Sequence, residues 1–129
     1  DMMSVIEHAK RFVEKHDARL MVVHIPYKGQ VSDSYLEYVE QYDEAGEPES
    51  LMSDEYQVHA GSLRAACQRF EVPFLDMTEV LRQYEASGQR MYWNYDEHMR
   101  ASAYSLTGEE IFNFWRNSSS LKTDKSIEH

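Results

Sequence analysis

A chain of 129 residues, 42% of them hydrophobic, is the size of one domain and can bury roughly two thirds of its unfolded surface around a single core. Its 23 acidic against 13 basic side chains leave a formal charge of −10, a field that repels phosphate backbones and anionic headgroups and so argues against nucleic acid and direct membrane contact. The single Cys67 excludes an internal disulfide and any multi-cysteine metal centre, and it leaves the compartment open.

Val5, Ile6, Ala9, Phe12 and Val13 recur at helical spacing, and Ser4 with Glu7 stands as a capping box, which predicts a helix over 4–16. Residues 20–25 are largely apolar without alternation and stop at Pro26, the pattern of a strand buried on both faces of a parallel sheet. Residues 31–55 hold nine acids and no Lys or Arg, interrupted by Gly46 and Pro48. They read as a solvated surface excursion, with short helical pieces such as 34–42, before they read as a surface for a cationic partner. A helix over 53–70 buries Tyr56, Ala60, Leu63, Cys67 and Phe70, and a short strand over 72–75 follows. Asp76 and Glu79 are spaced to cap a helix over 77–85, with Gly88 at its C-terminal end. An aromatic segment and a connection through Ser102 and Ser105 lead to a last helix over 108–115, capped by Thr107 and Glu110 and burying Ile111, Phe114 and Trp115.

Helix, strand, helix, strand, helix is the order of an α/β domain: a small parallel sheet flanked by helices over residues 1–116, followed by a polar tail over 117–129. Asn117-Ser118-Ser119 matches a glycosylation sequon, read as a chance match. No apolar run approaches the roughly 18 residues of a membrane span, and residues 1–20 lack the layout of a signal peptide. The start at Asp1 rather than at an initiator methionine suggests a piece of a longer protein.

The chemistry-bearing stretch is Met91-Tyr92-Trp93-Asn94-Tyr95-Asp96-Glu97-His98. A carboxylate beside an imidazole holds one tautomer and stabilises the imidazolium, which is what a general base needs to activate a hydroxyl. Asp96 and His98 therefore suggest half of an acyl-transfer site. The competing reading is local, since such side chains also satisfy backbone groups in turns without any chemistry. A metal site could use the same pair with Glu97, but no helical His pair or cysteine ligand supports it, and no cofactor is implied. His8, His16, His24 and His59 read as structural, and Tyr92, Trp93 and Tyr95 as packing before they read as a pocket. Ser32-Asp33-Ser34-Tyr35 imitates a nucleophile motif, yet it lies well past Pro26 in the acidic loop and not in a sharp turn after a strand.

Taken in order, the strand ending Ile25-Pro26-Tyr27-Lys28, the helix leading into Val72-Pro73-Phe74-Leu75-Asp76-Met77-Thr78, and the segment from Met91-Tyr92 to Asp96-Glu97-His98 resemble the C-terminal half of the SGNH (GDSL-like) hydrolase superfamily. The likeness covers about residues 17–116 and is nearest to the alginate-type polysaccharide O-acetyltransferases. It implies part of a three-layer α/β/α, flavodoxin-like fold, with His98 as catalytic base and Asp96 as the residue that orients it. It also implies an ester or acylated carbohydrate as substrate of the complete protein. The family's Gly-Asp-Ser-like turn and its oxyanion-hole segments have no counterpart in these residues. The expectation is a fragment that supplies Asp and His to a Ser-His-Asp triad, is inactive alone, and forms a homodimer or covers its exposed strand edge with its own chain. The alternative is a non-catalytic acidic α/β interaction domain.

Overall fold

The computed structural model describes residues 1–38 and 50–123. Two strands, β1 (Val22–His24) and β2 (Phe74–Asp76), pair in parallel with Val22 opposite Phe74 and His24 opposite Asp76. Between them in the chain lie α2 (Lys28–Val31), 3₁₀ turns at Asp33–Tyr38 and Asp54–Gln57, and α3 (Val58–Arg69). Such a connection is what a parallel pair requires, because adjacent parallel ends lie a full strand length apart. Side chains alternate across the strands. Val22 and Phe74 pack with Ile6, Ala66, Cys67 and Val72 on the side of α1 (Met2–Glu14) and α3. Val23 and Leu75 pack on the opposite side, against the cluster of Tyr35, Met77, Leu81, Tyr92 and Leu106. This second layer is built by the chain around α2, by α4 (Thr78–Ala86) and by α5 (Ala101–Thr123). The molecule is a mixed α/β domain, a small parallel sheet between helices.

Several boundaries differ from the sequence pattern for local reasons. The first helix starts at Met2 because the Asp1 carboxylate accepts the Met3 amide at 2.8 Å, while the Ser4 hydroxyl, already inside the first turn, bonds His8 Nδ1. Residues 20–25 were expected to form an interior strand, but β1 has three residues and, among the described residues, a neighbour on one side only. The largest correction is at α5, which runs through Ser102 and Ser105, read above as a connection, and on through Thr123 into the polar tail. Ala103, Leu106 and Thr107 continue the buried stripe at helical spacing, so Thr107 lies buried within the helix and does not cap it. The 3₁₀ turn at Asp33–Tyr38 takes in the described part of the helical piece expected over 34–42, and the 3₁₀ turn at Asp54–Gln57 replaces the first turn of the helix expected over 53–70. The rest of the acidic excursion, 39–49, and the tail over 124–129 lie outside the described residues.

Three helices end in the same turn. The amides of Ala18, Val72 and Gln89 reach back five residues to the carbonyls of Val13, Cys67 and Tyr84 at 3.0, 2.8 and 3.0 Å. Each closure places the residue before that amide in the left-handed region: Asp17 at φ 51°, Glu71 at φ 53° and Gly88 at φ 89°. These are Schellman endings, and only the last uses the residue type that fits them without strain. Asp17→Gly and Glu71→Gly are each expected to stabilise the fold by about 0.5–1 kcal/mol, seen as a higher urea midpoint at unchanged slope. A lower midpoint would show that these side chains contribute more than their backbone strain costs.

Candidate functional site: the 92–99 hairpin

Past β1 the chain turns at Pro26 into α2, and the aromatic segment folds back over this C-terminal end of the strand. Tyr92 and Met99 form an isolated antiparallel bridge, the Trp93 amide donates to the His98 carbonyl at 3.2 Å, and the Arg100 amide donates to the Met91 carbonyl at 2.8 Å. Residues 92–99 therefore form a short hairpin. Met91, Tyr92 and Met99 at its base are buried, and Tyr95, Asp96, Glu97 and His98 toward its tip are exposed.

A polar network fixes the base. The Tyr92 hydroxyl donates to the Pro26 carbonyl at 2.6 Å, which sets the hairpin against the end of β1. Glu85, whose side chain is 3% exposed, accepts the Tyr35 hydroxyl and, at 2.6 Å, the Met91 amide. The Tyr35 oxygen in turn accepts the Tyr92 amide at 3.0 Å. Arg90 covers this network from outside: it lies 4.2 Å from the Tyr35 ring centroid and donates to Ser34 Oγ and Asn94 Oδ1, both at 2.6 Å. Burial, reinforced by Glu85, pushes the Tyr35 phenol up to about 12, and burial raises Tyr92 as well.

At the tip, Asp96 Oδ1 accepts both the His98 amide, at 2.7 Å, and His98 Nδ1. An ionised carboxylate only accepts, so the shared proton belongs to Nδ1 and the Nε2 lone pair stays available. Nε2 has no hydrogen-bond partner among the described residues, and the His98 side chain is 77% exposed. The His98 amide, then its ring, and more distantly Lys28 hold the Asp96 carboxyl below the usual carboxylate range. Beside the pair lies an open depression of about 410 Å³ lined by Trp93, Asn94, Tyr95, Asp96 and Arg100, with the Arg100 guanidinium 4.5 Å from the Trp93 ring centroid. Glu97 points away from the pair, toward Lys28 at 3.1 Å.

Ser34 sits on the 3₁₀ turn, bonded to Ser32 Oγ at 2.8 Å and to Arg90, and no hydrogen bond joins it to His98. Of the expected site residues the structure thus brings Asp96 and His98 together and leaves Ser34 outside their contact. Asp76, read as a helix cap, accepts the Thr78 amide at 3.0 Å and its hydroxyl at 2.6 Å, and its second oxygen accepts Arg64 at 2.6 Å. Burial would raise its carboxyl, but the two Thr78 bonds, His24 and Arg64 outweigh that and lower it. The sequence reading missed Lys28, Tyr35, Glu85 and Arg90 as parts of the site. All four act across more than 45 residues of chain or from outside the aromatic segment, so no local spacing marks them.

Comparison with family models, with curated proteins and with solved structures returns no match for this chain.

The tyrosine network has a measurable signature. A phenol whose folded pKa lies above its unfolded value of 10.0 stabilises the fold while protonated; that contribution is complete below pH 10 and lost as pH rises toward 12. Among the nine tyrosines, Tyr35 and Tyr92 are expected to stay un-ionised at pH 11 in an ultraviolet titration and to ionise together with unfolding. Tyr35→Phe, which leaves the Tyr92 amide without its acceptor, is expected to cost about 2 kcal/mol in denaturant melts. Titration of both phenols with the exposed ones would dismiss the network.

Proposed function

We propose that this chain supplies the base and its orienting acid to an SGNH-like esterase or O-acyltransferase site whose nucleophile comes from another segment of the complete protein. The observation that carries the reading is the Asp96 contact to His98 Nδ1 with Nε2 left open to solvent. In that role His98 Nε2 takes the proton of a serine hydroxyl as its oxygen attacks the acyl carbon, then returns the proton to the leaving oxygen, while Asp96 stabilises the imidazolium between the two steps. In this reading the ester or acylated carbohydrate lies in the exposed depression beside Asp96, where the Trp93 and Tyr95 rings offer it an apolar surface.

Two measurements test this. Carbethoxylation of His98, followed by mass spectrometry, reads the nucleophilicity of Nε2. Asp96→Asn is expected to slow it by about threefold or more, because the amide no longer stabilises positive charge on the ring. Equal rates in the two proteins would sink the dyad reading. This chain alone is expected to turn over small activated esters no faster than its His98→Ala variant, since its sequence offers no counterpart of the family's nucleophile turn or oxyanion-hole segments. A clear loss on that mutation, matched by Ser34→Ala, would make the site complete within this chain.

A second reading, a non-catalytic interaction domain, has its own observation: Val5 and Phe12 on α1 are 60% and 65% exposed although they belong to its apolar face. A homodimer formed through this face and the edge of β1 that has no partner among the described residues is its simplest form. Light scattering that gives a dimer dispersed by Phe12→Ser, together with carbethoxylation indifferent to Asp96, would favour it.

A further inference from the structure

Lys28 is 1% exposed, the most buried charged side chain among the described residues. It stands at the first position of α2, four residues beyond β1, and its neighbour Gly29 is a place where a Cβ would come within 2.7 Å of Leu51 Cδ1. That close approach packs α2 against Leu51. An ammonium has three N–H donors and no acceptor. Lys28 Nζ makes three contacts: the Asn94 carbonyl at 3.0 Å, the Asp96 carbonyl at 3.4 Å and Glu97 Oε1 at 3.1 Å. All three partners lie within four consecutive residues of one hairpin tip, and they include the peptide unit that carries Asp96.

The hairpin needs such a support. Its backbone closure consists of the Tyr92–Met99 bridge, the Trp93–His98 bond and the Arg100–Met91 bond. Beyond Trp93 the backbone carbonyls of Asn94 and Asp96 turn inward to Lys28 and not across to an opposing strand. A buried cation left without its anion and its carbonyls would cost far more than an exposed pair is worth, so the three contacts are coupled: the tip is either seated on Lys28 or the ammonium is stranded.

We propose that Lys28 is the positioning residue of the Asp96–His98 pair, seating residues 94–97 so that Asp96 Oδ1 meets His98 Nδ1. Lys28 touches neither the imidazole nor any reacting atom. It acts through the backbone of Asp96, so it governs which nitrogen of His98 carries the proton. This inference deepens the acyl-transfer reading and rests on it for its functional meaning, but its structural content can be measured in the chain as it stands.

The test is the nitrogen spectrum of His98 in the whole chain, at a pH where the ring is neutral. Wild type is expected to show Nδ1 protonated and Nε2 bare, the reverse of the preference of a free imidazole. Lys28→Met keeps the length of the stem and removes the donors; it is expected to return His98 to the free-imidazole pattern and to speed exchange of the His98 amide by about tenfold or more. Should that variant fail to fold, Glu97→Ala removes one partner from the exposed end, and an intermediate loss of the Nδ1-protonated form is expected. Lys28→Arg, which retains charge and donors, is expected to recover more of that form than Lys28→Met does. A folded Lys28→Met protein, or a Glu97→Ala protein, with the wild-type tautomer would overturn the positioning role and leave the dyad intact. A free-imidazole pattern already present in the wild type would overturn the dyad reading itself.

Discussion

The arrangement of this domain depends on a carboxylate held away from water. Glu85 lies near the end of α4 and collects a phenol from the 3₁₀ turn and an amide from the start of the hairpin. Burying a charged group is tolerable only when its lone pairs are occupied, and here the occupants belong to separate stretches of chain. Tyr35 passes the constraint on, because its oxygen also accepts the Tyr92 amide, and Tyr92 fastens to the carbonyl of Pro26 at the end of β1. One buried side chain thereby fixes the distance between a helix terminus, a turn, a hairpin and a strand end. The apolar cluster around Met77, Leu81 and Met91 fills the volume, but hydrophobic burial has no direction. Hydrogen bonds to Glu85 supply it.

Electrostatics and packing cooperate differently on the other face of the sheet. There Arg64 of α3 reaches Asp76 at the end of β2, and Cys67 sits among apolar neighbours that push its thiol pKa up. That thiol is a space-filling group with little thiolate character. The face toward α4 and α5 therefore carries a buried directional polar frame, whereas the face toward α1 and α3 joins an apolar cluster to the Arg64–Asp76 pair, with α1 as its outer layer. The outer side of α1 still shows Val5 and Phe12 to solvent.

Much of the secondary structure was legible because it follows periodic or terminal signals. The stripe through Ala60, Leu63 and Cys67 locates α3, Gly88 marks the end of α4, and two short apolar segments give parallel strands. The failures are equally physical. Ser, Thr and Gly around 102–108 look like a connection because each is a poor helix interior residue, yet the buried Ala103, Leu106 and Thr107 add tertiary packing that outweighs those small propensities. Ser4 looks like a cap, but a carboxylate three residues earlier takes the Met3 amide instead. For the site, the Asp96–His98 contact was legible because it spans only two residues. Lys28 was not, because 66 residues separate it from its nearest carbonyl partner, and nothing local distinguishes it from an ordinary surface lysine.

The Asp96–His98 contact has a kinetic meaning as well. Both groups come from one turn, so their mutual alignment is settled once the hairpin has formed and its tip is seated on Lys28. In the proposed acyl-transfer role, a hydroxyl that reaches Nε2 would meet a ring already restrained, the rotational freedom that a mobile imidazole surrenders on encounter having been given up beforehand. What remains for such an encounter is the placement of one oxygen atom relative to one nitrogen, a problem of docking with no further local ordering to be done.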